Sequence, residues 1–193
     1  MPGDPDEDKS LMLRFQGTGD VSAFRTLFSR HKEPLLAYLR RLAGRVEVAE
    51  DVSQQAWLKL LEVGRKGAYR PSESASFRTF LFTLARNHYM DRFVRAHEAR
   101  VARLDAKVEG ALPDERESPD DATATMQIGP MLDAALRELP HEQRDVVALW
   151  SVGIDIDTIS VMVDAPRDTV MSRKKYALAK LRQALARQGV EET

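Results

Sequence analysis

Residues 155–187 have the sequence DIDTISVMVDAPRDTVMSRKKYALAKLRQALAR and decide the fold of the C-terminal part. A short apolar-periodic segment, Asp155 to Val163, is followed by a break at Asp164-Ala165 and by a longer basic segment, Pro166 to Arg187. At about 100° per residue, the longer segment carries one apolar stripe. The stripe consists of Val170, Ala177, Leu178, Leu181, Ala184 and Leu185. A short helix, a tight turn and a longer basic helix predict a helix-turn-helix.

The side of this helix opposite the stripe carries side chains that suit contact with base edges. In a recognition helix, the N-terminal half enters the major groove. The candidates for base contact are Thr169, Met171, Ser172, Lys175 and Tyr176, and those for phosphate contact are Arg167, Arg173 and Lys174. A solvated basic face on a terminal helix is the alternative interpretation. The short helix and turn that precede it favour nucleic-acid binding.

The charge is unevenly distributed, although the formal net charge is only −1. Seven basic residues face three acidic ones between Phe77 and Lys107, and seven face Asp168 alone between Pro166 and Gln188. Between Val108 and Thr125 the balance reverses, with six acidic residues and one basic residue. Each basic tract can therefore meet phosphate locally, whatever the sum over the chain.

The periodicity along the chain is helical almost throughout, which predicts an all-α protein. Helices are expected at about Val46 to Val63, Ser76 to Arg103 and His141 to Ser151, and Asp20 or Ser22 can serve as the N-cap of an earlier helix. The segment before Thr125 is rich in Pro, Asp and Glu and almost free of apolar residues. We therefore predict two small helical domains, residues 1–107 and 127–193, joined by a flexible acidic linker at 108–126.

Several function classes are disfavoured by composition. The chain has no cysteine, and its four histidines, His31, His88, His97 and His141, have no metal-binding spacing. We expect no metal, no cofactor and no enzymatic activity, since no nucleophile, base and metal set can be assembled. The apolar runs are far shorter than the roughly 20 residues that cross a bilayer, so a cytoplasmic protein without membrane insertion is expected.

One face of the second predicted helix is polar. Glu50, Asp51, Gln54 and Gln55 lie within about 140° of one another, opposite Ala49, Val52, Ala56 and Leu60. Most such faces are only solvated, and Glu50 and Asp51 point too far apart for paired acid–base chemistry. Docking of a partner remains the functional alternative.

The segment from Phe77 to Arg95 mixes aromatic side chains with arginines and amides, a combination that stacks unpaired bases and neutralises phosphate. Core packing explains Phe77, Phe80, Leu81 and Leu84. The candidates for nucleic-acid contact are Arg78, Arg86, Asn87, Asp91 and Arg95. Of these, Arg86, Asn87, Asp91 and Arg95 are expected to be exposed, because an unpaired buried charge is costly.

Two motif sets resemble a known family. Gly19-Asp20 with Ala23-Phe24, Ala49-Glu50-Asp51-Val52 with Gln54, and Phe77-Arg78 through Ala85-Arg86-Asn87 to Asp91 resemble conserved region two of bacterial sigma factors. Leu139-Pro140 with Gln143-Arg144, Gly153, and Thr169-Val170 with Ser172-Arg173 resemble region four. The chain between them is too short for a region three, so the resemblance is to the extracytoplasmic-function (ECF) group of the sigma-70 family. Asp164 stands where that family commonly has glycine at the turn.

The resemblance implies an alternative sigma factor that binds core RNA polymerase and directs it to promoters. Glu50, Asp51, Gln54 and Gln55 would dock on the clamp helices of the largest polymerase subunit, and the C-terminal domain would meet the flap of the second-largest subunit. The loop from Tyr69 to Ala75, with Asn87 and Asp91, would capture unpaired bases of the downstream (−10) element. The helix from Pro166 would bind the upstream (−35) element as duplex. An anti-sigma factor or another regulator is the expected further partner.

The main rival hypothesis is a stand-alone helix-turn-helix transcriptional regulator. In that case the N-terminal helices would serve dimerisation or sensing, and specific DNA binding would need no polymerase. The N-terminal part has no heptad seam and no pocket-forming excess of aromatic residues, which disfavours this alternative.

Overall fold

The computed structural model describes residues 5–73, 75–94 and 128–187. These residues form eight α-helices and one π-helical turn, and no strand occurs within them, so the predicted all-α class is confirmed. The helices are α1 (Pro5–Thr18), α2 (Val21–Ala43), α3 (Val46–Arg65), α4 (Phe77–Tyr89), α5 (Ile128–Arg137), α6 (His141–Ser151), α7 (Ile156–Met162) and α8 (Arg167–Arg187). The π-helical turn Met90–Val94 directly continues α4.

Helices α1 to α4 form the N-terminal bundle. Of the two candidate caps, Asp20 is the one that caps α2, since its carboxylate accepts hydrogen bonds from the backbone N–H groups of Ser22 and Ala23. Gly44 ends α2 in the left-handed conformation, with φ of 68°. The core includes Leu27, Leu35, Leu39, Leu60 and Leu81, all with no exposed surface.

The third predicted helix was expected to continue to Arg103; the structure describes this helix as far as Val94 and shows a change of winding within it. The α-helix ends at Tyr89, and Met90–Val94 adopts the wider π-helical winding that often marks a functional position. The periodic pattern of the sequence contains no signal for this change of winding. Residues 95–127, which include Arg95 and the predicted acidic linker, lie outside the described residues, so the domain boundaries remain a prediction.

Helices α5 to α8 form the C-terminal bundle, in which α7 and α8 make the helix-turn-helix. The turn between them contains Asp164 in the left-handed region with φ of 50°, a conformation that aspartate tolerates better than most residues. The predicted stripe of α8 is confirmed, because Val170, Ala177 and Leu181 are buried.

The two bundles pack against each other. One continuous cluster of buried apolar residues includes Leu42 and Phe82 of the N-terminal bundle together with Val146, Leu149 and Ile159 of the C-terminal bundle. A smaller cluster around Leu136 and Leu139 lies between α5, α6 and α8. Helix α8 is therefore held on a body that includes both bundles.

Candidate nucleic-acid interface

The outward face of α8 carries the side chains predicted to contact bases. Met171 and Tyr176 are 42% and 61% exposed, Ser172 and Lys175 are also exposed, and Thr169 is partly exposed. The structure thus presents all five candidates on a surface that a DNA groove could reach.

The position of α8 depends on α7 and the turn. The carboxylate of Asp155 caps α7 by accepting hydrogen bonds from the backbone N–H of Thr158 at 2.9 Å and from its hydroxyl at 2.7 Å. These bonds lower the pKa of Asp155. At the other end, the Ser160 hydroxyl donates to the carbonyl of Ala165 at 2.6 Å, which ties α7 to the start of α8.

The three candidate phosphate contacts surround this face. Arg167 is exposed and its Nε lies 2.8 Å from Asp157 Oδ1 in a solvent-exposed pair, which contributes little to stability. Lys174 Nζ lies 3.8 Å from the centre of the Trp150 ring, and Arg173 is partly exposed. Each cation can therefore exchange a weak or solvated contact for a phosphate.

A second surface, on the N-terminal bundle, is an apolar groove of about 400 Å³ between α2 and α3. Phe28 and Leu58 on its walls are 41% and 50% exposed, whereas Trp57 is nearly buried and its Nε1 has no hydrogen-bond partner among the residues that the structure describes. The apolar lining consists of Phe24, Phe28, Leu36, Trp57, Leu58 and Leu61. Sequence analysis missed this groove, although Phe24 and Phe28 already stand one turn apart on α2.

The polar face predicted on α3 divides between two surfaces. Glu50 and Gln54 line the apolar groove, whereas Gln55 lines a separate cleft on the other side of α3. Asp51 forms an ion pair with Arg92 at 2.8 Å, and Glu50 lies 3.5 Å from Arg40. The four residues therefore border two neighbouring cavities, and two of them are paired with arginines.

The cleft beside Gln55 has a volume of about 430 Å³ and lies between α3 and the end of α4. It brings together Asn87 and Asp91, both exposed, with Lys59 and Glu62. The side-chain amides and carboxylates that line it offer both donors and acceptors, which suits the Watson–Crick edge of an unpaired base.

Arg86 was predicted to be exposed, and the structure contradicts this. Its side chain is only 14% exposed, with Nε 2.7 Å from Asp145 Oδ2 and Nη1 3.1 Å from the carbonyl of Met162. Arg78, another candidate on α4, donates to the carbonyl of Val152. Both arginines of α4 therefore contact the C-terminal bundle. The partner of Arg86 lies 59 positions away in sequence, so no local pattern could reveal it.

Tyr69, at the start of the loop proposed to capture bases, is not available for contact in this conformation. It is 2% exposed, its ring packs edge-on against Phe77 and Phe80, and its backbone N–H donates to Gln16 Oε1 at 2.8 Å. Arg70 and Ser72 are exposed instead. Ser74 in this loop, like Arg95, lies outside the described residues.

No group of three or more histidines and carboxylates within 5–73, 75–94 and 128–187 is placed to hold a metal ion. No helix in these ranges is both long and apolar enough to cross a bilayer.

The fold and its exposed helix define the class as a helical protein with a C-terminal helix-turn-helix. Residues 27–99 match the family described as sigma-70 region 2. The chain is 26% identical over 192 residues to the ECF RNA polymerase sigma factor SigE of Mycolicibacterium smegmatis, which covers 97% of this chain and 72% of that protein. It is 24% identical to SigW of Bacillus subtilis over 86% of this chain and 91% of that protein, and 28% identical to CarQ of Myxococcus xanthus over 90% and 95%.

Two solved structures have the same fold. The sigma factor RpoE from Bartonella quintana, in complex with the anti-sigma factor NepR, matches with a TM-score of 0.63 and 20% identity, over 84% of this chain and 96% of that chain. CnrH, in complex with the cytosolic domain of CnrY, matches with a TM-score of 0.61 and 21% identity, over 95% and 98%. Residues 27–99 thus match sigma-70 region 2, and over most of its length the chain is similar to ECF sigma factors.

Proposed function

We propose that this protein binds core RNA polymerase through the groove of the N-terminal bundle and brings it to promoters that α8 recognises as duplex. The observation that carries the proposal is the presence of two separate accessible surfaces, one on each bundle. The apolar groove suits a helix of another protein, and the exposed side of α8 suits a DNA groove. A stand-alone regulator would need only the second surface.

The downstream element would be bound as melted strand in the cleft that contains Asn87 and Asp91. An amide can pair with the Watson–Crick edge of a base only after that base has left the stack. Duplex contact by α8 would fix the register, and binding of unpaired bases by the N-terminal bundle would favour the open DNA. This division of labour explains why one chain carries two kinds of surface.

Polymerase binding would combine the apolar groove with the charge of Glu50 and Asp51. Phe28 and Leu58 would be covered, and the two carboxylates would oppose a basic partner surface. The ion pair between Asp51 and Arg92 is partly exposed and is therefore weak enough to exchange for an intermolecular one. An anti-sigma factor is the expected regulator, given that the RpoE structure is described in complex with one.

Run-off transcription tests the whole proposal. Purified core polymerase would be assayed on genomic fragments with and without this protein, and specific transcripts should appear only in its presence. Specific fragment binding by the protein alone, with no polymerase-dependent transcript, would instead support the stand-alone regulator.

A matched pair of variants tests the groove. Leu58→Glu places a charge on an exposed apolar wall and should weaken polymerase binding at least about tenfold, because a charge must then be buried without a partner. Arg25→Glu changes charge at an exposed position of α2 that does not line the groove, and should leave the affinity near that of the wild type. Equal affinities for both variants would remove the groove from the interface.

A further inference from the structure

The contact between the two bundles is centred on a buried carboxylate. Asp145 of α6 is 1% exposed, and its two oxygens accept hydrogen bonds from Tyr38 Oη at 3.0 Å and from Arg86 Nε at 2.7 Å. Both donors belong to the N-terminal bundle. A carboxylate removed from water is tolerated only while such partners are in place. Asp145 is therefore tolerated in its buried position only while the two bundles are packed in this arrangement.

Main-chain oxygens complete the polar part of the contact. Arg86 Nη1 donates to the carbonyl of Met162 at 3.1 Å, and Arg144 Nη1 donates to the carbonyl of Leu42 at 3.3 Å. Arg78 donates to the carbonyl of Val152. These bonds cross between the bundles in both directions, so separation of the bundles would expose all three arginines to solvent.

Arg78 is incompletely satisfied in the packed arrangement. Its Nε is buried and has no hydrogen-bond partner among the described residues, and burial lowers the pKa of its guanidinium. Its remaining contacts are a carbonyl and the ring of Phe82, 5.2 Å from the guanidinium carbon. A guanidinium binds phosphate through several charge-assisted hydrogen bonds, which is a stronger interaction than either of these.

The C-terminal bundle also covers the loop beside α4. Val161 and Met162 of α7 line a cavity of about 230 Å³ together with Tyr69, Ser72 and Thr79. The packed arrangement thus places α7 over the same side of the N-terminal bundle that holds the loop and the two arginines. In this arrangement Arg86 is only 14% exposed and Arg78 is only partly exposed, so a nucleic-acid strand has limited access to either guanidinium.

We propose that Asp145, through Tyr38 and Arg86, is an autoinhibitory latch that holds the bundles closed and withholds Arg78 and Arg86 from nucleic acid. The role of these arginines rests on the proposed function, whereas the latch itself does not. Opening would release both cations on the helix that also carries Asn87. A partner that separates the bundles would thereby create a basic strand-binding surface.

The first measurement is the distance between the bundles in the free protein. Because the chain has no cysteine, dyes can be attached at Ser29→Cys and Ala179→Cys, which are both exposed. Asp145→Asn should reduce the ratio of closed to open molecules at least about tenfold, because it leaves Arg86 buried without a carboxylate. Glu142→Gln, which removes the same charge from an exposed position of α6, should leave the distance unchanged.

The second measurement is the accessibility of the arginines. Phenylglyoxal modification, followed by mass spectrometry, should become at least about tenfold faster at Arg78 and Arg86 in Asp145→Asn, relative to exposed Arg25 in the same molecule. A mixed-sequence single-stranded oligonucleotide should bind several-fold more tightly to the same variant. Unchanged modification and distance in a folded Asp145→Asn protein would overturn the latch. Opening without a gain in oligonucleotide affinity would overturn the withholding of the arginines.

Tyr38→Phe keeps the test decisive if Asp145→Asn does not fold. This variant removes one hydroxyl and leaves the ion pair intact, so phenylglyoxal modification of the two arginines should become only about threefold faster. If modification is not accelerated at all, the proposal is overturned. The dye and phenylglyoxal measurements need neither polymerase nor promoter. If both change while the wild-type protein supports no transcription, the proposed function fails and the latch stands.

Discussion

Helices α4 and α8 are both basic, and both were predicted to contact nucleic acid, but the structure uses their cations differently. On α8, Arg167 and Lys175 stand in solvent. On α4, Arg78 and Arg86 are turned into the contact with the C-terminal bundle. The difference shows that a basic helix can serve an electrostatic surface or an internal network. Which role it takes depends on carboxylates and carbonyls elsewhere in the chain.

The largest expected effect is the difference in stability lost when one cation of each helix is removed. Arg86→Ala leaves Asp145 buried without its charged partner and should reduce the stability of the packed state by about 3 to 5 kcal/mol. Lys175→Ala, at an exposed position, should change it by less than about 0.5 kcal/mol. Urea denaturation followed by circular dichroism would measure both. Equal losses would mean that the two helices do not differ in this way.

The salt dependence of duplex binding should change in a variant of α8 and stay the same in a variant of α4. Arg173→Ala removes a proposed phosphate contact of α8 and should flatten the slope of log affinity against log salt by about one unit. Arg78→Ala, on α4, should leave the slope for duplex DNA unchanged. Fluorescence anisotropy with an upstream-element duplex at several salt concentrations provides the measurement. A flatter slope for Arg78→Ala would place α4 on the duplex as well.

The caps that position the two helices offer a finer comparison. Asp155→Ala removes the cap of α7, and Ser76→Ala removes that of α4, whose hydroxyl accepts from the Thr79 N–H at 3.0 Å. Each should cost about 1 kcal/mol. Only the stability lost in Asp155→Ala should depend on pH in the acid range, because folding lowers the pKa of the Asp155 carboxyl from 3.8. Its stabilisation is complete above that value and is lost as the pH falls through the lower folded pKa.

Thermal unfolding measured from about pH 2.5 to about pH 6, the range in which carboxyl groups titrate, tests this difference. The deficit of Asp155→Ala relative to wild type should shrink at the acid end. The deficit of Ser76→Ala should stay constant. A constant deficit for both variants would contradict the ionic character of the α7 cap.

The smallest expected effect concerns the ring of His141, which stacks on Tyr89 of α4 at a centroid distance of 5.9 Å. Burial lowers the pKa of His141 from 6.5, and the nearby charges of Arg144 and Arg86 lower it further. The carboxylate of Asp145 acts in the opposite direction and raises it. The packed arrangement therefore favours the neutral ring. It should lose stability as the pH falls below about 6.5, because the separated state binds the proton more readily.

A modest opening of the bundles between pH 7.5 and 5.5 should be visible in the dye distance and should be smaller in His141→Gln. These two pH values lie about one unit above and about one unit below the ordinary pKa of histidine. An identical response in that variant would assign the effect to another group.

The helices could be predicted from the sequence because their signals are local. Asp20, Gly44 and Asp155 mark helix ends through their own side chains or backbone, and the stripe of α8 follows directly from residue spacing. The exposed face of α8 follows from the same projection. These features depend on residues within one or two turns of each other.

The sites that sequence analysis missed or misplaced depend on distant residues. Tyr38 and Arg86 meet Asp145 over 107 and 59 positions, and Arg86 was expected to be exposed because its partner could not be identified. The groove required knowledge of how α2 and α3 pack, since Phe28 and Leu58 are each ordinary helix residues in isolation. The change to π-helical winding after Tyr89 had no composition signal.

The protein has two tryptophans, and each lies at one of the two proposed surfaces. Trp57 is 6% exposed in the wall of the groove, whereas Trp150 is 40% exposed beneath the Lys174 ammonium. Each bundle therefore contains its own intrinsic fluorophore. In Trp150→Phe, the remaining emission would report occupation of the groove, and in Trp57→Phe it would report the departure of Lys174 toward a phosphate. The order in which polymerase and promoter engage the molecule can thus be followed by stopped-flow spectroscopy without an added label.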